Sequence, residues 1–317
     1  MKRQNFTLNS HDHITKLHGM MWKPEKEVRA VVQLVHGMIE YVERYDAFAS
    51  WLAERGIFVI GHDHLGHGDS VVCRDDWGFF EEENGNRVLL EDMHQVRLRV
   101  QEKFPDVPYL IVGHSMGSFL TRQYLCLHGE GIHAAVILGT GDMPAGLLRF
   151  GMFLTSSMAS VRGWRYRSRL VKLIVFGTYN KRIHPHRTDS DWISRDEAIV
   201  DAYKKEPRTS FDFTLNGYYN LFYSMYCLKN RDYLERMPTD FPILLAAGAE
   251  DPVGSYGEGV RRVQKELLAL GVKQVDLKLD PDDRHELLNE LDREQVFEDI
   301  GGWILQTLDN GQKEWER

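Results

Sequence analysis

The sequence predicts an α/β protein with a mostly parallel, doubly wound sheet, helices on both faces and one helical insertion. Three observations point there. Short apolar runs alternate with longer helical patterns along the chain. Most of those runs are continuous rather than alternating, as expected for strands covered on both faces. One stretch, 142–234, interrupts the rhythm without offering a clear strand.

In order, residues 5–9 and 14–22 suit an antiparallel hairpin at the sheet's margin. Strands are expected over 30–35, 57–60, 109–112, 134–138 and 243–247, with helices over 45–54, 90–103, 116–128, 259–270 and 293–308. The run 274–279 alternates and belongs nearer an edge. The expected division is a core of 1–141 and 235–317 with a helical cap over 142–234. That cap carries 15 Lys+Arg against 9 Asp+Glu, while the rest carries 24 against 38. It also holds 16 of the 35 aromatic residues, which marks it as an insertion and not a continuation of the sheet.

Composition narrows the function. With 43% hydrophobic and 27% charged residues, the chain of 317 is ordinary globular material. A formal net charge of -8 gives no electrostatic reason to expect nucleic acid. Three scattered cysteines, Cys73, Cys126 and Cys227, form neither a disulfide framework nor a zinc finger, so a reducing compartment is expected. The amino terminus has charge but no apolar stretch behind it, and no run of ~20 apolar residues exists to cross a membrane. A soluble, cytoplasmic protein is the expectation.

Chemistry concentrates at Gly113-His114-Ser115-Met116-Gly117, between a strand and a helix. G-x-S-x-G in that context places a serine on a sharp turn, with its hydroxyl projecting from the sheet edge. Glycines are needed where a Cβ would collide as helix and strand converge. A serine hydroxyl needs a base, and the base an orienting carboxylate. In the order Ser, acid, His, Asp251 fits the acid in Gly248-Ala249-Glu250-Asp251-Pro252, with Glu250 as competitor. His285 is the one histidine after the acid and the last strand. The N–H groups of Met116 and of Met38, in His36-Gly37-Met38, are the expected oxyanion donors.

Other clusters read differently. His62, His64 and His67, His11 with His13, and His184 with His186 lack the helical spacing of a zinc site, so no metal is expected. Gly139-Thr140-Gly141 is too short for a dinucleotide fingerprint, and no cofactor is expected.

Five segments fall in one order: His36-Gly37-Met38-Ile39-Glu40, Asp63-His64-Leu65-Gly66-His67-Gly68, Gly113-His114-Ser115-Met116-Gly117-Ser118, Asp251-Pro252-Val253-Gly254 and Arg284-His285-Glu286. Together they resemble the monoacylglycerol lipase and lysophospholipase group of α/β hydrolases, also catalogued with serine aminopeptidases. The resemblance runs from about residue 15 to 308. It implies the α/β-hydrolase fold, a triad of Ser115, Asp251 and His285, and ester hydrolysis of lipid-like substrates through an acyl-enzyme. Tyr41 departs from the pattern, since relatives usually carry His there, and it is expected near the substrate entrance.

Two apolar and aromatic groups in the cap, 143–154 and 211–226, either pack the cap onto the body or in part line an acyl-chain channel; Met143, Leu147, Phe150 and Phe222 are the candidates for the channel. Arg162, Arg165, Arg167 and Arg169 read either as a charge run that solvates a helix, the commoner fate, or as a contact with a lipid surface or phosphate head group. The rivals are an aminopeptidase, a thioesterase, and a non-catalytic module that binds a ligand on the same fold. The Gly-His-Ser-Met-Gly turn and the basic cap fit poorly with a prolyl aminopeptidase, which usually shows Gly-Gly-Ser-Trp-Gly and cap carboxylates.

Overall fold

The computed structural model describes residues 1–315. Its strands are β1 (Lys2–Asn9), β2 (Lys16–Lys23), β3 (Ala30–Val35), β4 (Ile57–His62), β5 (Tyr109–His114), β6 (Ala134–Leu138), β7 (Ile243–Gly248) and β8 (Val275–Asp280). They form one sheet in the order β1-β2-β4-β3-β5-β6-β7-β8. Pairing is parallel from β4 through β8, and antiparallel where β1 meets β2 and β2 meets β4. The helices are α1 (Asp46–Glu54), α2 (Gly85–Lys103), α3 (Met116–His128), α4 (Ala145–Arg162), α5 (Arg169–Phe176), α6 (Glu197–Lys205), α7 (Leu215–Cys227), α8 (Arg231–Leu234), α9 (Glu258–Ala269) and α10 (Arg293–Trp315). No helix among the described residues is long and apolar enough to cross a membrane.

The continuous apolar runs have a simple cause. Successive side chains of β3 point to opposite faces. Val31 and Val35 join a core with Leu89, Met93, Phe119 and Val263 from α2, α3 and α9. Ala30, Val32 and Leu34 join a second core with Phe48 and Leu52 of α1 and Ile300 and Ile304 of α10. Each large apolar side chain so buried contributes roughly 1.5–3 kcal/mol. Every residue of β3, β4, β5 and β7 is buried for this reason. β8 buries only Val275, and β1 only Leu8, so both behave as margins. Lys2 and Arg3 guard the β1 edge against pairing with another chain.

The chain lays β4 on one side of β3 and then returns to lay β5 on the other. Strand order therefore reverses between β3 and β5, and the crevice beyond their carboxyl ends is where such sheets bind ligands. Val35 pairs with Gly113, so the turns after the two strands emerge side by side.

Between β6 and β7 lie α4 to α8 and no strand. α4 lies along α7, with the Phe222 ring against Gly151. Two of the four arginines fasten this stretch to the body. Arg165 pairs with Asp76 at 2.6 Å, and Arg167 donates to the carbonyls of Asp75 and Trp77 at 3.0 and 2.8 Å. These two arginines therefore neither merely solvate a helix nor stand free for a lipid or phosphate. Two boundaries also move. β4 runs on to His62 because Gly61 and His62 pair with Met20 and Gly19 of β2. α2 starts at Gly85, after Asn84 at φ 58°, earlier than the apolar pattern suggests.

Candidate active site

Ser115 follows β5 and precedes α3 with φ 52° and ψ -119°, a backbone that L side chains rarely adopt. Such strain persists only where the surroundings enforce it. Here the Ser115 N–H donates to Leu138 O of β6 at 3.0 Å. At Gly117 a Cβ would strike the carbonyls of Val35 and His36, so only glycine lets α3 approach β3 this closely. The α3 amino terminus therefore points free N–H groups at the crevice.

His285 lies on the loop after β8, and its Nδ1 is 2.9 Å from Asp251 Oδ2, with both groups buried. Asp251 Oδ1 accepts the Val253 N–H at 2.8 Å, which fixes the carboxylate. Glu250, the competing acid, is exposed, and its side chain does not meet the imidazole. Gly139, at φ 55°, passes so near the ring that a Cβ would sit 3.1 Å from His285 Cε1. The Trp192 ring covers the imidazole from the insertion, with centroids 5.0 Å apart.

The turn after β3 holds a second strained residue, Ile39 at φ 56°, where a β-branched side chain is a true outlier. Among the described residues, neither the Met38 nor the Met116 N–H has a hydrogen-bond partner. Beneath this turn, buried Glu40 accepts from Gly37 N–H, from Tyr45 OH at 2.9 Å and from His114 Nδ1 at 2.8 Å. Arg44 reaches its other oxygen at 3.2 Å and grips Glu286 with two bonds of 2.7 and 2.6 Å. His114 Nε2 faces the His285 carbonyl at 3.2 Å. Both ring nitrogens of His114 thus meet acceptors, which suits an imidazolium. Burial alone would lower His114, but the charge and hydrogen bond of Glu40 hold it above the ordinary histidine value. Burial would likewise raise Glu40, yet His114 and Arg44 hold it well below the carboxylate range. One buried network thereby joins the turn after β3, the end of β5 and the His285 loop.

These elements surround a cavity of about 460 Å³ lined mostly by apolar side chains. Ser115, His285, Met38 and Met116 open into it, as do Met143, Leu147, Phe150 and Phe222. Asp251 stands behind His285. Tyr41 is the exception: it does not line the cavity, because its ring lies beneath the Arg208 guanidinium, 3.9 Å away. Phe176, Tyr179, Trp192 and Tyr203 also line the cavity and were not anticipated. They come from two short helices, α5 and α6, and from the loop and 3-10 turn between them, and their aromatic character was the available signal. Most of the second aromatic group packs elsewhere. Phe213, for instance, lies against His67 and Phe80.

His62 ends β4, His64 and His67 lie in the turn that follows, and all three are fully buried. Burial lowers all three, His62 and His67 to about 3. His36 accepts the His64 N–H through Nε2 at 2.8 Å and faces the Gly37 carbonyl through Nδ1, which fixes a neutral tautomer. Two other groups among the described residues bring three possible metal ligands together, His18 with Asp63 and Asp69, and Asp283 with Glu290 and Asp292. Each already contains an arginine partner, Arg208 on Asp69 and Arg195 across the second.

Residues 26–292 match the family described as Serine aminopeptidase, S33. The monoacylglycerol lipase of Mycolicibacterium smegmatis is 26% identical over 91% of this chain and 92% of its own. A thermostable carboxyl esterase from Bacillus coagulans, solved in complex with glycerol, superposes with a TM-score of 0.90 at 30% identity, over 97% of this chain and 99% of its own. A soluble variant of the monoglyceride lipase from Saccharomyces cerevisiae, in complex with a substrate analog, aligns with a TM-score of 0.75 at 20% identity, over 96% of this chain and 94% of its own, a likeness of fold alone. The chain belongs to the serine aminopeptidase S33 family of α/β hydrolases.

Proposed function

We propose that the protein is a serine hydrolase that cleaves carboxylic esters of lipid-like substrates, of the monoacylglycerol or lysophospholipid type. The observation that carries this reading is the buried His285–Asp251 pair, opening into the same apolar cavity as a serine on a strained turn. Ser115 Oγ attacks the ester carbonyl while His285 Nε2 takes its proton. Asp251 holds the ring by Nδ1 and stabilises the imidazolium. The Met38 and Met116 N–H groups receive the oxyanion of the tetrahedral intermediate; each such donor is typically worth ~10²–10³ in rate. His285 then protonates the departing alcohol, and a water attacks the acyl-enzyme by the same route to release the fatty acid. These steps call for neither metal nor cofactor.

The apolar walls from α4 and α7 supply the acyl-chain site, and the insertion acts as a cap over it. The monoacylglycerol lipase among the relatives and the glycerol complex of the Bacillus coagulans esterase support a glyceride substrate. An aminopeptidase would want an unpaired carboxylate for the substrate amine. The three carboxylates lining the cavity are all engaged: Glu40 with His114, Glu286 with Arg44, and Asp142 with Lys229 and Arg262. Ester cleavage is therefore the better reading.

The test is a panel of p-nitrophenyl esters, monoacylglycerols, lysophospholipids, acyl-CoAs and prolyl amides, with fluorophosphonate labelling alongside. Ser115→Ala should keep the fold, lose labelling and retain at most the ~10³–10⁴ over water that binding and the oxyanion site provide. A folded Ser115→Ala variant with full esterase activity would remove the mechanism, and labelling without turnover of any ester would favour another acyl substrate.

A further inference from the structure

Residues 191–196, which connect the α5 and α6 parts of the insertion, are bound along the loop that carries His285. The His285 N–H donates to Trp192 O at 3.4 Å, and the Glu286 N–H to Ile193 O at 2.7 Å. Arg284 reaches the carbonyls of Asp191 and Ser194 at 2.7 and 3.0 Å, and Ser194 Oγ donates to Asn289 O at 2.9 Å. At the end of this strap stands Arg195. Its Nε donates to Glu290 Oε2 at 3.1 Å, while its Nη2 reaches Asp283 and, at 2.8 Å, Asp292. Its backbone N–H also donates to the Glu290 carboxylate, at 3.0 Å. That carboxylate in turn accepts the Arg284 N–H at 2.9 Å. Asp283 and Glu290 are 1% and 0% exposed, and they bracket His285 in the chain.

The loop has little structure of its own. Beyond one short turn, Leu287–Asn289, it runs irregularly from the edge strand β8 to α10. Burial, with Glu290 and Asp292 nearby, raises the Asp283 carboxyl to about 7, so two buried acids within the loop disfavour one another's charge. A guanidinium presents several donors in a fixed plane and reaches both at once, as an ammonium does not, although Asp283 Oδ2 keeps no partner. We propose that Arg195 is a positioning residue: by bridging Asp283 and Glu290 it holds the His285 loop against the strap and so fixes the imidazole between Asp251 and Ser115. The proposal rests on His285 being the base. It divides the insertion into a fixed strap that belongs to the reaction centre and an outer part, α4 and α5, that shapes the acyl site. A displacement of ~1 Å at a reacting group can cost ~10²-fold in rate, so a residue that never touches substrate still governs turnover.

The experiment compares Arg195→Met, Arg195→Lys and Arg195→Met with Asp283→Asn on a soluble p-nitrophenyl ester, with Tm and hydrogen–deuterium exchange of residues 281–293. Arg195→Met should lower kcat by ~10- to 100-fold, with KM changed by less than about twofold. Arg195→Lys should recover part of the loss. The double variant removes one uncompensated buried carboxylate and should regain Tm, yet keep a low kcat and fast exchange over 281–293. Should Arg195→Met not fold, the lysine and double variants carry the comparison. Wild-type kcat in folded Arg195→Met, or full recovery of kcat in the double variant, would overturn the proposal and leave Arg195 as a neutralising charge. A wild-type protein that cleaves no ester would overturn the hydrolase reading instead, while the exchange comparison would still report on the strap.

Discussion

At the scale of single residues, Glu40 shows what a sequence conceals. The motif His36-Gly37-Met38-Ile39-Glu40 was legible as a turn after a strand, the place of the proposed oxyanion donor, and order and context single out Ser115, Asp251 and His285 as the proposed triad. Glu40's bond to His114 and Arg44's grip on Glu286 were not legible, because His114 and Glu286 lie far away in the chain and only the crevice between β3 and β5 brings them together. Tyr41 failed for a related reason: sequence adjacency to the turn said nothing about the Arg208 guanidinium above its ring. The Glu40–His114 pair makes a prediction with a definite sign. Glu40 is held below its ordinary 4.5, so its stabilisation is present above that value and lost as pH falls through its folded pKa. His114 is held above its ordinary 6.5, so its stabilisation is present below that value and lost as pH rises through its raised pKa. The pair contributes most between those two ordinary values. Glu40→Gln breaks a buried pair and should cost about 3–5 kcal/mol there, with the gap from wild type narrowing toward alkaline pH. Urea unfolding of both proteins near pH 5.5 and pH 9 reads this directly. A gap that stays constant would mean the pair is not charged as described.

At the scale of elements, the central strands were readable as continuous apolar runs covered on both faces. Helices α1, α9 and α10 were readable because each buries one face and leaves a period in the sequence. Helix α3, buried along nearly its whole length, was readable from its place after the Ser115 turn. α5 was not. Val171 is its one buried residue, while Leu170 and Leu173 are exposed and Ile174 lines the cavity, so its apolar residues do not mark a single core face. The strap was unreadable too, since its bonds are made by backbone and by charges that look like a solvated run. α4 and α7 carry the element-scale prediction, because they form the proposed acyl wall. A buried methylene is worth ~0.8 kcal/mol, so even two extra ones should favour a decanoyl over an acetyl ester by ~10-fold in kcat/KM. A Cβ at Gly151 would lie 2.7 Å from the Phe222 ring. Gly151→Leu should therefore drive that ring into the cavity, abolishing the decanoyl preference while leaving the acetyl ester nearly unaffected. Equal kcat/KM for the two esters in the wild type would mean the cavity does not hold the chain.

At the scale of the whole molecule, the sequence reveals an acidic chain with a basic, aromatic interruption, but not which way that interruption faces. In the structure its outer helices leave Phe153 and Leu173 68% and 65% exposed, on the elements that wall the cavity. Arg165 and Arg167 are spent on the body, which leaves apolar area as the larger source of attraction for a lipid surface. Were electrostatics dominant, the arginines should matter most and salt should abolish binding. With apolar contact dominant, Phe153→Ser together with Leu173→Ser should matter more. Each lost side chain is worth roughly 1.5–3 kcal/mol if fully buried in the lipid, so the pair should weaken binding to phosphatidylglycerol-containing vesicles by at least ~10-fold. Turnover of monoacylglycerol held in those vesicles should fall in parallel, and kcat/KM for a soluble p-nitrophenyl ester should not change, because neither side chain lines the cavity. Co-sedimentation at low and high salt separates the two forces. Undiminished vesicle binding in the double variant would show that Phe153 and Leu173 do not enter the lipid, and loss of that binding at high salt would assign the contact to charge instead.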